Sequence, residues 1–547
     1  MKKQFLTAVA MSALTIGTLL GTSGSAFAAH MPKLAQSTTP LEVVPSPNGN
    51  FQDNFNPFSA NANYGTLGFI YEPLFYFDNV SGKTFDLLGT NYSWSNGNKT
   101  VTVTLRNTNW SDGKPFTSAD VVFTFNMLKK YPAADTTGQW QQLASVKAAG
   151  PHKVVFTFKT TNVPFASYTL NIPIVPQHQW ASLGDPSKAT MTSPIGTGPY
   201  TLGSFSAQDY KYVANDKYWG GVPPIKTLDF PAYSGNNAGD MALASGKVDW
   251  AGMFLPNIQG IFVNKDAQHN HYYYPPGNVV MLYTNLKDPI LSQLPVRQAM
   301  SLAIDRNKLA NEGEYGYTKP ASALGLILPN NQAWVDPALK SKVNLSYNPA
   351  QAMKVLEKAG YKKNSQGIFA KNGKPLSFSL QVVAGWTDWD TDAGLIQQEL
   401  KAVGINVNVE QEAFSAYNNN LSGTKKSYQL AISWTNTGPS PYFLFQNMLW
   451  SKGNYNVEQL SNKTVDNALV SFSQTTNPGQ QKQDLYKVEN YMLNQVPSIP
   501  LFYGPVWYEY RTMNYTGFPT AANPWINPSP YTNYANAIVV MHLHPAH

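Results

Sequence analysis

One stretch of the chain reads Trp110-Ser-Asp-Gly-Lys-Pro-Phe-Thr-Ser-Ala-Asp-Val-Val-Phe123 and combines a turn with the start of a helix. Its first four residues are typical of a tight turn, because Asp and Gly tolerate the backbone conformations that turns require. Thr117 comes just before an apolar-periodic run that continues to Leu128, and Asp120 falls in the first helical turn. The pattern predicts a helix that begins after Thr117 and is capped by it.

Strand and helix patterns surround this segment. Two runs alternate as strands, Val101-Thr-Val-Thr-Leu105 before it and Val154-Val-Phe-Thr-Phe158 after it. Three later runs have helical spacing, and the third leads directly into a strand: 296–304, 349–360, and 395–404 followed by 405–409. Helices and strands in succession indicate α/β layering rather than an all-β sandwich.

Length and composition exclude several classes of protein. With 547 residues the chain should divide into two or three domains. Its net charge of +7 is scattered without basic runs, which argues against nucleic-acid binding. The chain contains no cysteine, so disulfides, thiolate metal sites and a cysteine nucleophile are all excluded.

The first residues have the pattern of an export signal. Met1-Lys-Lys3, an apolar stretch and Ala26-Phe-Ala28 predict a signal peptide over 1–28 that is cleaved after Ala28. Residues 29–40 are small and polar and are expected to form a flexible leader. We therefore expect a secreted, periplasmic or cell-surface protein, and not a lipoprotein, because no cysteine is present to be acylated.

Several motifs along the chain, in this order and spacing, resemble the large solute-binding proteins of oligopeptide, dipeptide, nickel and oligosaccharide ABC transporters, extracellular solute-binding protein family 5. They are Tyr71-Glu-Pro-Leu-Phe75, the segment Trp110 to Phe123, Gly196-Thr-Gly-Pro-Tyr200, Asn215-Asp-Lys-Tyr-Trp219, Val296-Arg-Gln-Ala-Met300, Ala303-Ile-Asp-Arg306 and Ala359-Gly-Tyr361. The resemblance covers essentially the whole chain after the signal peptide. The motifs identify the fold and do not mark a ligand.

The resemblance implies a two-lobed α/β periplasmic-binding-protein fold with an extra subdomain in lobe one. The lobes are joined by two crossing strands, expected near Met281 to Asn285 and Pro500 to Tyr503. Lobe one then comprises 41–284 with 503–547, and lobe two comprises 285–502. It also implies a monomer that delivers its ligand to the permease subunits of an ABC transporter, without catalytic residues, metal or cofactor.

The ligand is expected to be an oligosaccharide rather than a peptide. Peptide-binding relatives carry an Asp for the ligand's amino group where this chain reads Ser433-Trp-Thr-Asn-Thr-Gly-Pro-Ser-Pro441, with Asn436 or Thr437 in its place. A buried ammonium without a counter-charge is strongly disfavoured. Where dipeptide-binding relatives carry an Arg, this chain offers Trp386, Asp388 and Trp389. Flat aromatic faces and planar carboxyl or amide groups suit neutral sugars.

Further ligand-binding candidates come from the same comparison with the family. Segments such as Val248-Asp-Trp-Ala-Gly252 and Trp507-Tyr-Glu-Tyr510 resemble the oligosaccharide-binding branch. The additional candidates are Trp434, Asn436, Trp250, Asn257, Trp507, Asn54, Phe55 and Asn56.

Three alternatives remain open. An oligopeptide binder is the main one, because main-chain hydrogen bonds can hold a peptide with little help from charge. A glycosidase would need two of Asp388, Asp390 and Asp392 as its carboxyl pair. A nickel binder would draw on His269-Asn-His271 or on the histidines between His542 and His547, since imidazole suits nickel.

Overall fold

The computed structural model describes residues 36–46, 49–59, 61–233, 236–328, 330–412, 414–422, 426–453 and 456–547. The predicted signal peptide and the leader as far as residue 35 lie outside the described residues. We expected the leader to be flexible throughout, but its last part, 36–40, is hydrogen-bonded to the rest of the protein. Ser37 forms backbone hydrogen bonds with Pro224 and Lys226, and the Tyr515 hydroxyl donates to the Thr39 carbonyl. These bonds attach the segment to lobe one.

The main sheet of lobe one has seven strands and is built from both ends of the chain. In spatial order its strands are Asn270–Tyr272, Glu509–Arg511, Trp250–Ala251, Leu41–Val44, Thr227–Pro231, Asp209–Ala214 and Tyr200–Ser206. Glu509–Arg511 lies between Asn270–Tyr272 and Trp250–Ala251 and runs antiparallel to both. The C-terminal segment therefore contributes a strand to the same sheet as residues near the start of the described chain.

A four-stranded antiparallel sheet forms a subdomain of lobe one. Its strands, in spatial order, are Gly89–Ser95, Thr100–Leu105, Lys153–Phe158 and Leu143–Ala148. Both strands predicted here are confirmed, each beginning one residue earlier than expected. The predicted helix is also confirmed as Ser118–Lys130, and it packs against this sheet.

Thr117 and Asp120 form the capping box that the sequence predicts. The Thr117 hydroxyl accepts from the Ala119 amide at 3.2 Å, and the Asp120 carboxylate accepts from the Thr117 amide at 3.0 Å. Replacing Thr117 with Ala removes one of these bonds and should lower the free energy of unfolding by about 1 kcal/mol. Urea denaturation followed by circular dichroism measures the change. Thr190→Ala, at an exposed position outside any helix or strand, is the control, and equal stabilities of the two variants would contradict the prediction.

Lobe two is organised around a mixed five-stranded sheet. Its strands, in spatial order, are Asn406–Glu412, Ser377–Val383, Leu430–Trp434, Pro276–Thr284 and Ile499–Pro505. The helices of this lobe that were predicted are confirmed as Leu294–Ala303, Pro349–Lys358 and Thr387–Ala402. The third begins eight residues earlier than expected, because polar residues in its first two turns hid its start from the apolar pattern. The α/β class is confirmed.

Two strands of this sheet lead to lobe one. Pro276–Thr284 and Ile499–Pro505 pair antiparallel, and both lie within the sheet of lobe two over most of their length. The chain passes between the two main sheets near residues 273–275 and 506–508, at the ends of these strands. Our sequence-based positions for the crossing strands, near 281–285 and 500–503, overlap these two paired strands but lie several residues away from the passages.

The remaining elements are short strands and helices around the three sheets. The small strand pairings are Phe75–Phe77 with Thr84–Asp86, Tyr515–Thr516 with His544–Pro545, and Lys362–Lys363, Phe369–Lys371 and Lys374–Pro375 together. The other helices of lobe one are Thr66–Ile70, Pro132–Ala134, Gln139–Gln142, Phe165–Leu170, Gln177–Trp180, Asn236–Ala244, Ile258–Ile261, Val263–Lys265 and Ala535–His542. Those of lobe two are Arg306–Lys308, Leu309–Gly313, Gln332–Trp334, Pro337–Lys342, Phe414–Ser422, Pro441–Leu449, Lys463–Ser473 and Pro478–Gln495. Among the described helices, none combines the length and the apolar character needed to cross a bilayer.

Candidate functional site

A cavity of about 360 Å³ lies between the lobes, beside the two strands that join them. We call it the tryptophan cavity. From lobe one and the joining strands its wall includes Phe254, Asn278, Gly504 and Trp507. From lobe two it includes Glu314, Trp386, Asp388, Trp389 and Trp434. The cavity is of the size that proteins use for small-molecule ligands.

Three tryptophans form the lobe-two wall of this cavity. The rings of Trp386 and Trp434 are stacked, with centroids 5.8 Å apart and an interplanar angle of 29°. Trp389 lies 5.1 Å from Trp386 and 5.7 Å from Trp434. The side chain of Trp386 is 37% exposed and that of Trp389 only 6%, so the first faces the cavity and the second also packs in the core.

The topology of the sheet explains why these tryptophans meet. Ser377–Val383 and Leu430–Trp434 are parallel neighbours, so their carboxyl ends lie at the same edge of the sheet. Trp434 ends the second strand, and Trp386 follows the first and precedes the helix Thr387–Ala402. Ligands of open α/β sheets bind outside the carboxyl ends of the strands. The sequence pattern places aromatic side chains at that position.

Trp507 supplies an aromatic face from the lobe-one side. Its ring lies 5.3 Å from Phe254 and 4.8 Å from Tyr274, each in an edge-to-face arrangement. The Tyr274 hydroxyl in turn donates to the buried carboxyl group of Glu509 at 2.6 Å. Packing on several sides fixes the indole of Trp507, and the cavity therefore has aromatic surfaces on both lobes.

Carboxyl groups supply most of the charge around the tryptophan cavity. Burial raises the pKa of Asp388, and burial together with the negative charge of Asp388 raises the pKa of Glu314. The pKa of Asp392, behind Glu314, is raised by burial and by the proximity of Glu314. Glu314 was not among our candidates, because it lies far from 386–392 in sequence and no local pattern connects the two.

Two larger cavities adjoin each other elsewhere between the lobes. One of about 770 Å³ lies between the subdomain of lobe one and lobe two, and its wall includes Tyr168, Asn436 and Trp450. The other, of about 670 Å³, shares Tyr168 and Thr437 with it. Neither of the two shares a lining residue with the tryptophan cavity among the described residues.

The structure brings together many of the predicted ligand-binding residues. Trp386, Asp388, Trp389, Trp434 and Trp507 all line the tryptophan cavity. Asn436 lines the 770 Å³ cavity two residues beyond Trp434.

The other candidates lie elsewhere. Trp250 is fully buried in the core of lobe one and donates its indole N–H to the Pro528 carbonyl at 3.0 Å. Asn257 is exposed and caps the short helix Ile258–Ile261. Phe55 is a core residue, and the amide of Asn56 donates to the Pro186 and Ala189 carbonyls. The side-chain Oδ1 of Asn54 accepts from the backbone N–H of Asn56. The side chains of Trp250, Phe55, Asn54 and Asn56 are buried within lobe one, and we correct their assignment to the cleft. The assignment of the exposed Asn257 stays a prediction.

The histidines that suggested a nickel site are engaged in local contacts. His269 lies 2.9 Å from the Asp266 carboxylate, and the His542 ring packs 4.5 Å from Trp525. Within the described part of the chain, no three His, Asp or Glu side chains converge in a way that could hold a metal ion.

Comparison with known proteins gives consistent matches along the chain. Residues 86–456 match the family model of bacterial extracellular solute-binding proteins, family 5. Protein XP55 of Streptomyces lividans is 28% identical over 386 residues, covering 70% of this chain and 68% of the relative. A putative ABC transporter peptide-binding protein of Brucella ovis is 26% identical over 512 residues, covering 89% and 91%.

A solved structure provides the corresponding comparison of folds. It is the periplasmic oligopeptide-binding protein of an oligopeptide ABC transporter from Thermotoga maritima, which is 26% identical to this chain. It superposes with a TM-score of 0.85 over 92% of this chain and 99% of that one. A second crystal structure of the same Thermotoga protein, with mannohexaose bound, superposes with a TM-score of 0.78 over 94% and 99%.

Proposed function

Because the chain belongs to the bacterial extracellular solute-binding proteins of family 5, we propose that it captures oligosaccharides between its lobes and delivers them to an ABC importer. Members of this family act as binding components of transporters, outside the cytoplasm. Contacts to both lobes exist only when the cleft is closed, so ligand binding favours the closed shape. The permease subunits would bind the closed conformation, and the ligand does not have to undergo any reaction.

The tryptophan cavity is the observation that carries the oligosaccharide proposal. Trp386, Trp434 and Trp507 offer aromatic faces from two sides, and sugar rings stack on such faces through their C–H surfaces. Asp388 and Asn278 supply hydrogen-bond acceptors for hydroxyl groups. The mannohexaose in the Thermotoga relative supports the proposal, since that protein shares the fold over most of both chains.

An oligopeptide is the second candidate, and two observations favour it. Relatives that match most of the chain are named as peptide-binding proteins. In addition, the carboxyl group of Glu314 at the cavity wall is a possible partner for an α-amino group. Against it, the resemblance to peptide-binding relatives puts Asn436 or Thr437 where they have an Asp. In addition, none of the described residues that line the tryptophan cavity is basic and could pair with a peptide carboxylate.

A melting-temperature panel tests the proposal. Manno-, cello- and xylo-oligosaccharides of two to six units and peptides of two to nine residues are each added to the mature protein. A ligand present at roughly 100 times its dissociation constant should stabilise the native state by about 2.7 kcal/mol. We expect this upward shift with oligosaccharides and no product of their cleavage. A shift with peptides alone would overturn the oligosaccharide proposal, and formation of shorter sugars would overturn the assignment as a pure binding protein.

A further inference from the structure

A cluster of three carboxyl groups lies at the tryptophan cavity and behind it. Asp388 and Asp392 belong to the first turns of the helix Thr387–Ala402, and Glu314 follows the helix Leu309–Gly313. The absence of a side chain on Gly313 permits this approach, because the Asp392 carboxyl group fills the space that a Cβ would need. The cluster is a product of two helices that pack together, and sequence spacing alone does not reveal it.

The cluster lacks the cationic partner that buried carboxyl groups normally have. Of the ion pairs formed among the described residues, none includes Glu314, Asp388 or Asp392. Glu314 is only 1% exposed, yet it lines the cavity, and its Oε1 has no hydrogen-bond partner within the described part of the protein. A buried polar group without a partner is costly, and a charged one more so. A ligand that brings hydrogen-bond donors and positive charge would satisfy it.

We propose that Glu314, with Asp388 and Asp392, forms a cation subsite that receives a protonated amino group on the captured oligosaccharide. The inference rests on the proposed function and narrows its substrate class to sugars that carry an amine. An ammonium group has three N–H donors, and Glu314, Asp388 and the unpartnered Oδ1 of Asn278 present acceptors at the same cavity.

The aromatic wall supports the same class of ligand. Tryptophan faces attract cations, and the attraction is larger where water is excluded. Trp386, Trp434 and Trp507 line the cavity, and within the described part of the protein no lysine, arginine or histidine lines it to repel an ammonium group. A neutral sugar would use the aromatic faces equally well but would bring no positive charge to the carboxyl groups.

Proton release on binding follows from this arrangement. Burial and the negative charge of Asp388 favour the protonated form of Glu314, whereas the hydrogen bond with Asp392 lowers the pKa of Glu314 and raises that of Asp392. The Glu314–Asp392 pair therefore holds a proton in the ligand-free protein. An arriving ammonium reverses that preference, so the carboxyl pair loses a proton to the solvent while the ligand keeps its own. Binding of an aminated sugar should therefore release up to about one proton near neutral pH, and binding of a neutral sugar none.

Calorimetry with matched sugars tests the subsite. Oligomers of glucosamine and of glucose with the same β-1,4 linkage and length are titrated at pH 6 in two buffers of different ionisation enthalpy. We expect the glucosamine oligomer to bind at least about 10-fold more tightly and to release a proton. Glu314→Gln should abolish both the preference for the glucosamine oligomer and the proton release. Glu312→Gln, at an exposed position two residues earlier, is the matched control and should retain both.

The outcomes separate the subsite from the proposed function. Equal affinity of the wild type for the two oligomers, or equal weakening of both by Glu314→Gln, overturns the cation subsite and leaves oligosaccharide capture intact. Failure of every oligosaccharide to bind overturns the proposed function itself. Should Glu314→Gln not fold, the preference of the wild type and the effect of Asp392→Asn decide the question.

Discussion

Lowering the pH from 8 to 5 should stabilise this protein by at least about 4 kcal/mol, because several buried carboxyl groups are held in the protonated form by the fold. Burial raises the pKa of Glu458 and of Glu509 to about 8 and that of Glu72 to about 7. Their hydrogen-bond partners are hydroxyl, indole and amide donors, and the positive charges of Arg106 near Glu72 and of Lys426 near Glu458 offset only part of the effect of burial. Tyr218 and Trp219 donate to Glu72, and Ser498 donates to Glu458.

The sign of the effect follows from the direction of these shifts. A carboxyl group whose pKa is higher in the folded than in the unfolded chain binds its proton more tightly when folded. Its contribution to stability is complete below the unfolded value of about 4.5 and is lost as the pH rises through about 7 to 8. His271 and His542 oppose the trend below about pH 6.5, since burial lowers their pKa, but they are fewer and less deeply buried.

Urea midpoints at pH 5, 6.5 and 8, followed by tryptophan fluorescence, measure this dependence. Glu458→Gln and Glu509→Gln each remove one of the titrating groups and should flatten the profile. Glu357→Gln, at an exposed helical position, should leave it unchanged. A midpoint that falls from pH 8 to pH 5 in the wild type would show that other groups dominate the linkage.

The helices and strands that were predicted from local sequence patterns are found in the structure. The capping box at Thr117 and the strand at 101–105 depend only on residues close together in sequence, and both are found. The start of the helix Thr387–Ala402 was missed because its first turns carry Thr and Asp, which an apolar pattern does not detect. The positions predicted for the passages between the lobes differ from the observed ones by several residues. A strand has the same sequence pattern along its whole length, so the pattern does not show where the strand leaves one lobe.

The candidate site was predictable where topology and local sequence agree. Trp386 follows one strand and Trp434 ends its parallel neighbour, so motif position alone placed the two residues together. Trp250 and Phe55 were wrongly assigned to the cleft, because the sequence pattern around an aromatic residue does not show whether its side chain lies in a core or in a cleft. Glu314 could not be predicted from the sequence, because only the packing of Leu309–Gly313 against Thr387–Ala402 brings it to the cavity.

Replacing Trp386 with Ala should weaken oligosaccharide binding roughly 5- to 150-fold, equivalent to about 1 to 3 kcal/mol, and leave the folded state nearly as stable as the wild type. The side chain is 37% exposed and contributes a stacking face to the cavity, so its removal costs the ligand more than the core. Trp389, three residues later in the same aromatic group, is 6% exposed and belongs to the core of lobe two. Trp389→Ala should therefore lower the free energy of unfolding by about 3 to 5 kcal/mol.

The two tryptophans serve as controls for each other when affinity by calorimetry and urea midpoints are measured on the same preparations. Trp386→Phe keeps a flat ring and should recover part of the affinity lost in Trp386→Ala, which a purely steric or structural role would not predict. The stacking role is wrong if Trp386→Ala binds oligosaccharide with the affinity of the wild type, or if its urea midpoint falls as far as that of Trp389→Ala. In either case the exposed indole would be a packing element of the helix Thr387–Ala402, and ligand contacts would have to come from Trp434 and Trp507.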